Sequence, residues 1–121
     1  MEWQVEYYQK ENGKIPVLEY LLTLQPKLRA KVFSEIELLE KHGAKLREPY
    51  TKAIKGDAYK GLFELQVKLS SDISRIFYFT YRNNTFVLLH GFTKKTEKTP
   101  QAELDRAVRY KEDYERRCGN A

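Results

Sequence analysis

GLFELQVKLSSDISRIFYFTYRNNTFVLLHGFTKKTEKTP, residues Gly61–Pro100, decides the fold. In Leu62–Leu69 the apolar Phe63, Leu65, Val67 and Leu69 alternate with Glu64, Gln66 and Lys68, the period of a half-buried strand. Ser70-Ser71-Asp72 supplies turn residues. Ile73–Arg82 is rich in β-branched and aromatic side chains and apolar on both faces apart from Arg75 and small hydroxyls, which describes a central strand. Asn83-Asn84 fits a two-residue hairpin turn, because asparagine tolerates positive φ. Phe86–Phe92 is the third strand, on which strict alternation puts His90 beside Phe86, Leu88 and Phe92. The stretch is a three-stranded meander.

Around it the chain supplies cover. Trp3, Val5 and Tyr7 alternate with polar residues and open the chain as a short, polar edge strand, turned by Asn12-Gly13. Pro16 starts a helix whose apolar side is Val17, Leu18, Leu21 and Leu22, and Pro26 begins the next. There Leu28, Val32, Ile36 and Leu39 recur at helical spacing, with Lys31, Glu35, Glu37 and Lys41 expected to face water, and Gly43 closes the helix. Arg47–Gly61 has no period and reads as a mobile basic loop. Thr99-Pro100 caps a last helix with Leu104, Ala107, Val108, Lys111 and Tyr114 on one face, beyond which Arg116, Arg117 and the tail fray. The expected fold is α+β: a small, mainly antiparallel sheet in the order β-α-α-β-β-β-α, with an N-terminal helical hairpin and a C-terminal helix. One domain spans 1–121.

Charge singles out the same region. The net charge is +5, and between Arg47 and Lys98 ten Lys/Arg face five Asp/Glu, while the flanks carry twelve of each. The whole excess therefore sits on the sheet and the loop before it, as a polyanion-binding surface requires, though solvated lysines read the same way. Cys118 has no partner for an internal disulfide, MEWQVEYY is no signal peptide, and no apolar run reaches membrane-spanning length. A cytoplasmic protein without membrane contact is expected. One Cys and two distant His, His42 and His90, give no zinc spacing, and no glycine-rich phosphate loop is present, so neither metal nor cofactor is expected.

GLFELQV, RIFYF and LLHGFTKKTEKTP before a helix, together with NGKIPVLEYL at the first helix, resemble the phage-derived HigB-like toxins of the RelE/ParE toxin–antitoxin superfamily. The resemblance covers nearly the whole chain, and LLHGFTKKTEKTP is its most specific part. It implies a RelE-like fold and a metal-independent endoribonuclease that cuts mRNA, commonly on the ribosome, and is silenced by a cognate antitoxin, here a helix-turn-helix, HigA-like protein. Carried over by position, Arg75 matches the basic residue early in the second meander strand, Lys68 the basic residue on the strand before it, and Lys95 the one just past the last strand. Two departures stand out. Gln66 replaces an arginine common after the Glu-Leu of the first strand, and a tyrosine that RelE carries further on has no counterpart.

Metal-free RNA cleavage needs a base for the 2′-OH, stabilisation of the phosphorane and a proton for the leaving 5′-oxygen. Lys68 is the candidate base, Arg75 the phosphate clamp, Lys95 the leaving-group partner, and His90 a further acid–base candidate. Lys52, Lys55, Lys60, Gln66, Lys94 and Lys98 are candidate RNA contacts. Each has a plainer reading: Lys68 as a solvated strand lysine, Arg75 in an ion pair with Glu64, His90 as a hydrogen-bonded core residue. Arg75→Ala is expected to abolish activity and leave the fold intact. Two other functions fit the same chain, a ParE-like gyrase poison and a noncatalytic RNA-binding module.

Overall fold

The computed structural model describes residues 3–82, 84–94 and 99–119. Its elements in order are β1 (Gln4–Tyr7), α1 (Pro16–Leu22), α2 (Pro26–His42), β2 (Thr51–Ala53), β3 (Phe63–Leu69), β4 (Asp72–Tyr81), β5 (Thr85–Lys94) and α3 (Gln101–Tyr114). Among the described residues five strands form one mixed sheet in the order β1-β5-β4-β3-β2. The meander β3-β4-β5 is antiparallel, as alternation and turn chemistry imply, and β1 joins β5 in parallel. The α+β class holds.

The expected element order lacks one strand. Within the segment expected to be a loop, Thr51–Ala53 pairs antiparallel with Phe63–Leu65, and the Thr51 hydroxyl donates to the Leu46 carbonyl at 2.9 Å. Three residues are too few to show a period. The β4–β5 turn is also longer than expected: Tyr81 pairs with Thr85, leaving residues 82–84 as the connection, and the positive φ of 54° falls on Arg82. Asn83 lies outside the described residues.

Two cores flank the sheet. On one face, Val17, Leu21, Leu28, Val32, Ile36 and Leu39 of the helical hairpin bury Leu65, Val67, Ile76, Tyr78, Phe86 and Leu88. Leu22, expected on that apolar side, is instead 71% exposed. On the other face, Ala107 and Tyr114 of α3 pack with Phe77, Phe79, Val87, Leu89 and Phe92. Pro100 itself is the cap of α3, one residue later than expected. The turn that follows, Glu115–Gly119, is tied down rather than frayed: Arg117 donates to Asp113 at 2.7 Å and to the Gln9 carbonyl at 2.5 Å.

A bulge in β5 corrects the predicted faces. Tyr78 pairs with Leu88 but Phe77 with His90, so Leu89 is the extra residue. Phe86 and Leu88 therefore face the helical hairpin, while Leu89, His90 and Phe92 face α3. Strict alternation fails at that one residue.

Two glycines are required by close approach. Gly43 ends α2 with φ +57°, ψ −133°, outside the left-handed helical well, and a Cβ there would sit 2.0 Å from the Trp3 ring. Gly91 lies under Tyr20, whose hydroxyl is held by Ser74 at 2.7 Å and Thr93 at 2.6 Å. A Cβ at 91 would meet Tyr20 Cδ2 at 2.5 Å and Ile76 Cδ1 at 2.8 Å. Gly91→Ala is expected to cost about 1–3 kcal/mol, as overpacking in a filled core does. Urea denaturation checks it: an unchanged midpoint would mean that Tyr20 moves aside freely.

Candidate functional site

Residues directly opposite in an antiparallel pair share a face, so the register arranges the α3 side of the meander in rows. Glu64, Phe77 and His90 form one row, Gln66, Arg75 and Phe92 the next, and Lys68, Ile73 and Lys94 the last. Rows two residues apart are about 7 Å apart, and neighbouring strands about 4.8 Å. Lys68 and Lys94 thus stand about 10 Å from each other across β4, with Arg75 in the adjacent row. Five of the sequence candidates, Gln66, Lys68, Arg75, His90 and Lys94, share this one face.

Arg75 is fully buried, and its Nη1 donates to Glu64 Oε2 at 2.5 Å. The Gln66 amide donates to the same Glu64 oxygen. Gln66, which stands where an arginine was expected, is thus part of the network that fixes the buried carboxylate. Lys68 is exposed near the end of β3, and its backbone carbonyl accepts a hydrogen bond from Lys31 of α2.

His90 lies apart from that end. Lys94 lies four positions further along β5, about 13 Å of strand. Its Nε2 is 2.7 Å from Glu103 Oε1 in the first turn of α3. Burial pushes its pKa below 6.5, the Glu103 carboxylate opposes this, and Arg106 adds to the lowering. The native state therefore binds that proton less well than the unfolded chain. The stability contributed by neutral His90 is complete above pH 6.5 and falls away as the pH drops below it. Denaturation midpoints measured from pH 8 to pH 5 are expected to fall on this limb, and to fall less in His90→Gln; parallel profiles for the two proteins would contradict the assignment.

The remaining candidates are dispersed. Lys52 stands opposite Glu64 on the outermost strand and extends the first row, but exposed. Lys55 and Lys60 lie in the β2–β3 connection, before β3 begins and therefore at the far end of the strands from Lys68. Lys95 and Lys98 fall outside the described residues.

Three clefts border these residues. One of about 640 Å³ opens on the helical-hairpin face, between Arg47, Lys55, Phe63, Tyr78 and Phe86, and Lys52, at the outer end of the first row, also lines it. A second, beside His90, has Lys10, Lys14, Tyr20 and Arg106 in its walls. Those cations come from the flanks, whose charges cancel in the sequence and gave no signal. The third, about 440 Å³, lies between α2 and the open part of the β3 edge, where Lys31, Glu35, Tyr50, Gln66 and Lys68 line it. Glu35 was expected to face water; it is 8% exposed. Burial raises its pKa above 4.5, with Lys31 opposing. Helical spacing alone gives no hint of this, because the strand edge that covers Glu35 is about thirty residues away in sequence.

A small α+β domain with helices on both faces of a mixed sheet, and cations gathered at one end of its meander, is the class that fold and site define. Residues 19–112 match the family model described as Phage derived protein Gp49-like (DUF891). The chain belongs to this phage-derived Gp49-like family, which is associated with toxin–antitoxin systems. No match was found among curated proteins. Among the described residues no helix is long and apolar enough to cross a membrane.

Proposed function

We propose that the chain is the toxin of a toxin–antitoxin pair and acts as a metal-independent endoribonuclease on mRNA, engaged on the ribosome in the cytoplasm and silenced by a helix-turn-helix antitoxin of the HigA-like kind. The observation that carries this reading is the register that sets Lys68 and Lys94 about 10 Å apart beside buried Arg75, in a chain of a toxin-associated family. The resemblance to HigB-like and RelE-like toxins supplies the reaction class.

In this reading Lys68 takes the proton from the 2′-OH, whose oxygen attacks the adjacent phosphorus. The P–O5′ bond breaks, leaving a 2′,3′-cyclic phosphate and, once the 5′-oxygen is protonated, a 5′-OH. Arg75, expected to clamp the phosphate, is fully buried and neutralised by Glu64, and instead holds the Glu64–Gln66 network in place beside the Lys68 and Lys94 row. Lys95, one residue beyond Lys94, serves the leaving oxygen, and Lys94 and Lys98 hold flanking phosphates. His90, about 13 Å along the strand from the Lys68 row and bound to Glu103, anchors the start of α3 rather than the reacting atoms.

Induced expression in bacteria with mapping of mRNA 5′ ends tests the reading. New ends inside translated frames are expected. Growth arrest with broken DNA and no such ends would indicate a gyrase poison, and no arrest a binding module.

A further inference from the structure

Glu35 is the residue that folding alone does not explain. The residue is 8% exposed on α2, its carboxylate oxygens open on the cleft, and no hydrogen bond or ion pair with another described residue reaches them. It forms part of the wall of the cleft between α2 and β3, with Lys31, Gln66, Lys68 and the 38%-exposed Tyr50. Gln66 links this cleft to the Glu64–Arg75 pair, so the cleft adjoins the proposed cleavage site.

The donors and acceptors in the cleft match one base better than the others. Guanine presents two adjacent donors, N1–H and N2–H, next to the acceptor O6. A carboxylate takes both donors at once, and an ammonium serves O6. Adenine and cytosine each offer a carboxylate a single amino group, and uracil one imino N–H. Tyr50 provides a ring on which a base can stack. We propose that the α2–β3 cleft is a guanine pocket beside the cleavage site, with Glu35 reading the Watson–Crick edge and Lys31 meeting O6. This rests on the ribonuclease reading above and adds its sequence preference: cuts fall at a fixed offset from guanine.

The test is the base composition around mapped mRNA 5′ ends for the parent, Glu35→Gln and Glu35→Leu, with each variant's melting temperature measured beside it. Neither variant removes a hydrogen bond or ion pair with another described residue, and both are expected to melt close to the parent. The parent is expected to show guanine enriched at one position near the cut. In the variants cutting at guanine sites is expected to drop about tenfold, toward the level at other bases, the discrimination that one bidentate contact supplies. A parent without guanine bias, or variants that keep it, would overturn the pocket while leaving the ribonuclease reading intact. Loss of cutting at every site in a folded variant would also overturn it, and would put Glu35 on the reacting atoms. A parent that makes no cuts at all would sink the ribonuclease reading, and the pocket with it.

Discussion

Arg75→Ala is expected to destabilise the protein by about 3–5 kcal/mol, because it leaves Glu64 as an unpaired charge in the core. For a domain of this size that lowers the melting temperature by roughly 10–20 °C. Both partners are 0% exposed, Glu64 Oε2 receives the Arg75 guanidinium and the Gln66 amide, and Glu64 Oε1 is buried without a hydrogen bond among the described residues. Removing the cation therefore strands a carboxylate already short of donors. Replacing both charges at once, as in Glu64→Leu with Arg75→Met, is expected to recover most of the loss, since well-packed apolar pairs often match buried ion pairs. Thermal melts of the single and double variants decide it; a single variant that melts with the parent would mean that water or another cation reaches Glu64. From sequence, Arg75→Ala reads as a clean functional knock-out. Its burial makes it a stability variant first, so loss of toxicity in that variant alone says little about chemistry.

Lys68 is the position at which chemistry can be tested without that confusion. It is exposed, so its replacement is expected to change stability by no more than about 0.5 kcal/mol. If it is the base, Lys68→Ala should lower cleavage at least about 100-fold, the usual contribution of a positioned acid–base group. Lys68→Arg is the sharper variant. Arginine keeps the positive charge and the phosphate contact but does not give up its proton near neutral pH. A comparable loss in Lys68→Arg would mark proton transfer, and activity close to the parent's would mark a purely electrostatic role. Single-turnover cleavage rates, with melts in parallel, separate the two.

The meander was legible because alternation, a serine turn and an aromatic central strand are local signals, and local signals survive into the tertiary structure. Its three strands are found within two residues of their expected ends. What the sequence hid depends on distant contacts. Thr51–Ala53 becomes a strand only because β3 offers it a ladder. The bulge at Leu89 moves His90 away from Phe86 and Leu88 without any glycine or proline to announce it at that residue. Glu35 looks like a solvent-facing helix residue until the edge of β3 closes over it. Of the candidate site, Lys68, Arg75 and Lys94 could be named from residue type and position. That Glu64 holds Arg75, with Gln66 on the same carboxylate oxygen, fits the register, which alternation fixes once the turn between β3 and β4 is placed at Ser70-Ser71.

The most direct test of ribonuclease function is cleavage of a ribosome-bound message by the purified protein, compared with the same message carrying a single 2′-deoxynucleotide at the mapped cut. Attack by the 2′-OH requires that the ribose message be cut to give a 5′-OH end and that the deoxy message survive at that position; Lys68 as the base requires in addition that Lys68→Arg cut the ribose message at least about 100-fold more slowly. Equal cutting of the two messages, or a 5′-phosphate end, would contradict the mechanism. An intact message in every lane would contradict the ribonuclease itself.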